Sequence, residues 1–162
     1  MLTVERLLSE VGLKLATGHA AAGTAVRWVH STELPDPTPW LTGGELVLTT
    51  GSQLDSAERQ REYVERLVAH GIAGVGLGVG FEHSELPHAL CAAAEEHALP
   101  IFEVPYEVPF IAITERAFSH LVSEQYEALR RSTAIQGRLE RLVLEERGLG
   151  EVMRMVAEAI GG

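Results

Sequence analysis

The alternation of strand-like and helix-like segments between residues 45 and 104 is the feature that most restricts the fold of this chain. The segments "ELVLTT", "IAGVGLGV" and "IFEV" are short, apolar and β-prone, as buried strands are. Helical patterns over residues 55–70 and 84–97 separate them. Strands and helices that alternate at these lengths predict parallel strand–helix–strand units with right-handed crossovers. We therefore expect an α/β fold with a mostly parallel sheet and flanking helices.

Shorter elements precede this region. A helix capped by Thr3 and closed by Gly12 is expected first, followed by a short strand in "KLATG" and a second strand in "AVRWVHST". The next segment, "ELPDPTPW", contains three prolines in eight residues and is predicted to be a loop. The paired glycines Gly43 and Gly44 then turn the chain into the first of the central strands.

A long helix is predicted after Pro109. Apolar residues recur along it every seven positions, a partial coiled-coil pattern that also suits a helix packed on its own domain. We expect an α/β domain over residues 1–122, a connecting and dimerising helix over 123–147, and the start of a following, truncated domain over 148–162. The main seam of the heptad pattern consists of Leu121, Ala128, Ile135 and Leu142.

The charge of the chain argues against some classes of function. Its 162 residues carry 23 acidic against 13 basic side chains, a formal net charge of −10. Binding to a nucleic-acid backbone needs a basic surface, so we expect no direct contact of this chain with DNA. Cys91 is the only cysteine, which excludes an intrachain disulfide and indicates a reducing, cytoplasmic environment. The N-terminal residues lack the pattern of a signal peptide, and no apolar stretch is long enough to predict a membrane span.

The glycine-rich strand "GVGLGVG" does not fit a nucleotide-binding loop. A dinucleotide fingerprint places glycines at the first, third and sixth positions and opens a helix, whereas here glycine alternates with apolar residues. One face of this strand is thus bare backbone, which allows the close approach of a helix or, alternatively, of a ligand. The sequence contains no phosphate-binding loop, zinc-ligand histidine pair or nucleophile motif, and we expect no cofactor, no metal and no catalytic residue.

The segment from Pro37 to Gly51, "PTPWLTGGELVLTTG", contains the main candidate for a binding site. In open α/β sheets, ligands bind beyond the carboxyl ends of the parallel strands, and this segment ends there in two threonines and a glycine. The preceding strand is followed by two carboxylates that can accept N–H groups, and the loop supplies a tryptophan for stacking. The predicted ligand-binding residues are Glu33, Asp36, Trp40, Thr49, Thr50 and Gly51.

Two other interpretations of these residues stay open. In a purely structural one, Trp40 covers the core, the threonines cap a loop and the paired glycines form a turn. In an enzymatic one, Glu33, Asp36 or Glu82 acts as acid or base, which requires a buried carboxylate with a raised pKa beside a second polar group. We favour a domain that is not an enzyme.

Four segments resemble the N-terminal domain of PucR-type regulators, the purine catabolism regulatory protein-like domain. They are "VERLLSE", "VHSTELPDPTPWLTGGELVLTTG", "LVAHGIAGVGLGVG" and "ALPIFEVPYEVPFIAITERAFSHLV", and the resemblance covers roughly residues 2–122. The tryptophan, the paired glycine and "LVLTTG" of the second segment form its most specific part.

The resemblance implies a cytoplasmic bacterial transcription regulator, in which this domain precedes a middle domain and a C-terminal helix-turn-helix. DNA would then be bound only through a domain absent from this chain. We expect the present domain to sense an effector related to purine breakdown and to form a homodimer through its C-terminal helix. The alternative is a pure dimerisation or protein-interaction module, with the effector bound elsewhere in the full protein.

Overall fold

The computed structural model of the chain describes residues 1–144, 154 and 156–160, and it describes the side chains of residues 1–134, 154 and 156–160. The chain divides into two compact units, Met1–Leu121 and Val122–Gly162. The last three residues of the predicted connecting helix and most of the predicted following domain lie outside the described residues. The same holds for the side chains of the two C-terminal members of the heptad seam.

A five-stranded sheet forms the centre of the first unit. The strand order is β1-β5-β4-β3-β2, in which β2, β3, β4 and β5 are mutually parallel and β1 pairs with β5 in the antiparallel sense. This confirms the predicted α/β fold with a mostly parallel sheet, flanking helices and a long C-terminal helix. In chain order the elements are α1 (Val4–Val11), β1 (Leu15–Thr17), β2 (Trp28–Ser31), β3 (Glu45–Thr49), α2 (Ala57–Ala69), β4 (Gly74–Gly78), α3 (His88–Glu96), β5 (Ile101–Val104) and α4 (Phe110–Leu144).

Capping residues fix the ends of the short helices. The Thr3 hydroxyl accepts the N–H of Arg6 at 3.2 Å, and Gly12 closes α1 in the left-handed conformation with φ of 73°. The second predicted crossover helix starts at His88, four residues later than the pattern indicates. Pro87 stands at its N-cap with extended backbone, and a proline disfavours helical backbone at the residue before it. The helix therefore cannot extend back to residue 84.

The connection between β2 and β3 contains no α-helix. These strands are parallel neighbours, yet the proline-rich loop joins them with only a short 3-10 turn, Thr38–Trp40. Proline removes backbone donors and resists regular helix, so this crossover stays irregular. The carboxyl edge of the sheet consequently begins with a loop that is free to carry polar side chains.

Helices cover both faces of the sheet in the first unit. Alternate strand residues such as Val47, Val75 and Ile101 pack with α2 and α3. The residues between them, including Leu46 and Phe102, pack with α1 and the first turns of α4. This two-sided burial explains why β3 and β4 are buried along their whole length.

The bare face of β4 is filled by neighbouring side chains. A Cβ added to Gly76 would lie 2.6 Å from the Phe102 ring and 2.7 Å from Leu48, and one added to Gly78 would lie 2.9 Å from the Phe110 ring at the start of α4. The predicted close approach of a helix therefore occurs at Gly78. At Gly76, it is the adjacent strands that approach closely.

Candidate functional site

A cavity of about 370 Å³ opens at the carboxyl edge of the parallel strands. The ends of β4 and β5, the residue after β3 and the loop that leads into α4 all contribute to its wall. This is the edge at which open α/β sheets bind ligands, and the volume lies in the lower part of the range for small-molecule sites. The lining residues are Thr50, Gly78, Phe81, Val104, Pro105, Tyr106, Val108, Pro109 and Phe110.

Aromatic and aliphatic groups make up most of this wall. The rings of Phe81 and Tyr106 contact each other with centroids 5.2 Å apart and planes inclined by 45°, and both side chains are exposed. Phe110 contributes a third ring, and Gly78 gives that ring room. The arrangement offers flat apolar surfaces to a ligand at an opening that solvent can reach.

Thr50 is the one predicted site residue that lines the cavity. Its backbone N–H donates to Glu33 Oε1 at 2.7 Å. Its hydroxyl makes no hydrogen bond to the part of the chain that the structure describes. Thr50 therefore brings to the cavity a polar group that is available to a ligand.

Glu33 organises the turn after β3. Its carboxylate accepts the Thr49 hydroxyl at 2.9 Å and the Ser52 hydroxyl at 3.3 Å, in addition to the N–H of Thr50. Hydrogen bonds to a charged acceptor are stronger than neutral ones. The predicted residues Glu33, Thr49 and Thr50 thus come together, and the carboxylate holds the backbone that presents Thr50 to the cavity.

A buried polar chain continues from this turn into the core. The Thr49 hydroxyl accepts the N–H of Gly51 at 3.2 Å and the amide of Gln53 at 3.0 Å. Behind Gln53 lies Tyr63, which is 1% exposed and whose hydroxyl has no hydrogen-bond partner among the described residues. Burial raises the pKa of this hydroxyl far above its usual value, and the Glu33 charge raises it further. The nearby Gln53 side chain lowers the pKa of the Tyr63 hydroxyl in part, although the two groups do not have the geometry of a hydrogen bond.

Gly51 fixes the turn through its backbone. It has φ of 77°, and its carbonyl oxygen lies 2.9 Å from Nε2 of His83. A Cβ at this position would lie 2.7 Å from Leu77 and 2.8 Å from His83. Gly51 is therefore required both by conformation and by space.

Asp36 and Trp40 lie outside the network of the other predicted residues. The Asp36 carboxylate accepts the Thr38 hydroxyl at 2.6 Å and the Thr38 N–H at 3.1 Å. The hydroxyl hydrogen bond lowers the pKa of this carboxyl. Because both hydrogen bonds are to Thr38, two residues away, Asp36 stabilises its own turn. Trp40 is 69% exposed, so it does not cover the core.

A second concavity of about 260 Å³ adjoins α2. Its charged side chains have nearby partners: Arg59 pairs with Asp55, just before α2, at 3.0 Å, and Arg66 pairs with Glu62 within α2 at 3.8 Å. Exposed pairs of this kind are well solvated, and they leave little unmet bonding capacity for a ligand. The edge cavity is therefore the better candidate.

Two features of the described residues bear on catalysis. Within them, no three histidine, cysteine, aspartate or glutamate side chains are grouped closely enough to hold a metal ion. Burial, and then the Glu95 charge, raise the pKa of the Cys91 thiol, which disfavours the reactive thiolate. Across the described part of the chain, no helix has both the length and the apolarity needed to cross a membrane.

The aromatic wall of the cavity is the part that sequence reasoning missed. Phe81 and Tyr106 come from two loops that are distant in sequence, Phe110 is the first residue of α4, and only the folded sheet brings the three rings together. The sequence nevertheless contains an indication of part of this wall. The segment "PYEVPF" follows the carboxyl end of the predicted strand "IFEV", so the rule that selected Thr50 also applies to it.

Comparison with known proteins gives consistent matches. The profile of the purine catabolism regulatory protein-like family matches residues 3–121. The transcriptional activator PmfR of Paenarthrobacter nicotinovorans is 34% identical over 119 residues, which cover 70% of this chain and 25% of that protein. The purine catabolism regulatory protein of Bacillus subtilis (strain 168) is 22% identical over 161 residues, which cover 99% of this chain and 30% of that protein.

These matches show that the domain is related to transcriptional regulators. The chain spans only about a quarter to a third of the length of these two relatives. The family match covers nearly all of the first unit, and with it the strand edge and the cavity. The chain belongs to the purine catabolism regulatory protein-like family.

Proposed function

We propose that this chain is the regulatory domain of a bacterial, cytoplasmic transcription regulator and that it senses a small-molecule effector in the edge cavity. The observation that carries the proposal is the position of the cavity. Its wall includes Pro109 and Phe110, where the 35-residue helix α4 begins. An occupant would therefore contact the start of the helix that leaves the α/β unit.

The contact with Phe110 supplies a route from effector to output. A ligand shifts an equilibrium only as far as it binds one state more tightly than the other. An occupied cavity would favour the placement of Phe110 that leaves room for the ligand, and α4 would carry that bias onward. DNA binding would belong to a domain outside this chain, in keeping with the net charge of −10.

The name of the family and that of the Bacillus subtilis relative make products of purine breakdown the first effectors to test. We expect at least one of xanthine, urate and allantoin to raise the thermal unfolding temperature of the chain. A ligand at a hundred times its Kd adds about 2.7 kcal/mol to the free energy of unfolding. The measurement is a thermal-shift titration, followed by calorimetry on any compound that stabilises.

A pair of variants links the shift to the cavity. Thr50→Val removes the hydroxyl of a residue that lines the cavity and keeps the shape of the side chain, so it should reduce the shift. Thr24→Val is the matched control, because Thr24 is exposed and lies before β2, at the opposite edge of the sheet. Equal shifts in both variants would place the effector elsewhere, and no shift with any compound would contradict effector sensing.

A second candidate is a module that dimerises through the C-terminal helix. In the second unit, Val122, Tyr126 and Leu129 are exposed and follow one another at helical spacing. Exposed apolar side chains in this arrangement suit helix pairing between two copies of the chain. This function is compatible with effector sensing, since a dimer would couple two sensors.

Analytical ultracentrifugation of the chain tests dimerisation. Leu129→Glu places a charge in the apolar row and should weaken the dimer by at least about tenfold, because a buried unpaired charge costs several kcal/mol. Ala134→Glu adds the same charge on a different face of α4 and should leave the association unchanged. A parent chain that is monomeric at about 100 µM would contradict this candidate. Its dimerisation free energy would then be weaker than roughly −5 kcal/mol, too weak for the helix to act as a dimer interface without other domains.

A further inference from the structure

We infer that the edge cavity selects a planar, uncharged heterocycle whose N–H groups are few, in preference to a ring-opened, carboxylated or phosphorylated compound. This inference rests on the proposed function, because it names the chemical class of the effector. It follows from three properties of the cavity: the rings in its wall, the scarcity of polar groups and its size.

The rings favour a flat ligand. Phe81 and Tyr106 meet at an inclination of 45°, and Phe110 adds a further ring to the same wall. Aromatic faces gain most from another flat π-system placed in an offset or edge-to-face arrangement. A puckered or open-chain molecule would contact the same wall over less area.

The few polar groups of the wall disfavour charged ligands and ligands with many N–H donors. The wall contains no charged side chain, and its polar side chains are those of Thr50 and Tyr106. Tyr106 is itself largely exposed, so water satisfies its hydroxyl. A phosphate or carboxylate would lose hydration without gaining a cationic partner, and each surplus N–H would be buried without an acceptor.

The size of the cavity limits the ligand to a small ring system. A volume of about 370 Å³ lies near the lower end of what small-molecule sites provide. A two-ring heterocycle with a few methyl groups fits this range, whereas a nucleotide with sugar and phosphate would place most of its polar groups against the apolar wall.

A methylation series tests this inference on a constant skeleton. Xanthine, its monomethyl and dimethyl derivatives and trimethylxanthine share one planar ring system, but successive members replace N–H by N–CH₃. We expect the Kd measured by calorimetry to fall along the series by about fourfold or more per methyl group. Allantoin and xanthosine monophosphate should bind more weakly than any member.

Ring-deleting variants assign the effect to the wall. Phe81→Leu and Tyr106→Leu keep apolar bulk and should each weaken binding of trimethylxanthine by about three- to tenfold. Tyr126→Leu is the matched control, because Tyr126 is an exposed tyrosine of the second unit that does not line the cavity. It should leave the Kd unchanged.

The outcomes separate this inference from the proposed function. If xanthine binds and each methyl group weakens binding, the inference is overturned while effector sensing stands. If allantoin or the nucleotide binds most tightly, the same conclusion follows. If no compound of either panel binds, effector sensing itself fails. Binding that tightens with methylation and weakens in both ring-deleting variants supports both.

Discussion

Replacing Gly76 by alanine tests the structural role of the glycine-rich strand. The new Cβ would lie 2.6 Å from the Phe102 ring and 2.7 Å from Leu48, whereas carbon atoms at their optimum are about 3.5–4.0 Å apart. Both neighbours are fully buried in the core, so neither side chain can move aside without displacing others. Overpacking of this kind costs about 1–3 kcal/mol.

The expected net effect is a loss of about 1–2 kcal/mol. Alanine also reduces the conformational entropy of the unfolded chain. This stabilises the folded state by about 0.4–1 kcal/mol where alanine can adopt the native backbone conformation. Gly76 does not have the positive φ that would disfavour alanine, so the packing clash alone sets the sign. Thermal unfolding followed by circular dichroism should show a midpoint lowered by roughly 3–8 °C.

Gly23→Ala is the matched control for this experiment. Gly23 also lacks a positive φ, and a Cβ there would meet nothing within 4 Å. We expect this variant to be as stable as the parent or more stable by up to about 1 kcal/mol. Equal stability of the Gly76 and Gly23 variants would refute the argument that β4 needs glycine for packing.

Three further predictions concern single polar groups. Tyr63→Phe removes a buried hydroxyl that has no partner and should raise the free energy of unfolding by about 1 kcal/mol in urea titrations; a comparable loss would reveal a hidden partner. Glu33→Gln should lower it by about 1–2 kcal/mol, because the charged acceptor of Thr49 and Thr50 is lost, and an unchanged midpoint would contradict the network. Because burial raises the pKa of Cys91, its alkylation by iodoacetamide should reach half its maximal rate at a higher pH than that of a free cysteine peptide; a lower midpoint would contradict the burial.

Local pattern was sufficient for most of the fold. The central strands and the helix between β3 and β4 follow from apolar periodicity and glycine stops, and the Thr3 cap and the Gly12 stop of α1 are correct. The antiparallel pairing of β1 with β5 depends on a contact between residues more than 80 positions apart. No periodicity within three residues encodes such a pairing, so the sequence predicts the strand but not its place in the sheet.

The candidate site was accessible to sequence reasoning only in part. The rule for parallel sheets led to Thr50, and the structure gathers Glu33 and Thr49 around it. The rule does not distinguish residues that line a cavity from residues that hold a turn. The Asp36 carboxylate accepts hydrogen bonds from Thr38 in the same turn, an interaction that the Asp-x-Thr spacing allows but does not require.

The central claim is that an effector in the edge cavity acts on the start of α4. Amide hydrogen exchange of the chain, with and without the purine that stabilises it most, tests this claim most directly. We predict that added protection is concentrated in residues 78–81 and 104–112, which contain most of the cavity lining and the first turn of α4. Protection confined to residues 53–66, beside the second concavity, or no change at residues 104–112 would contradict it.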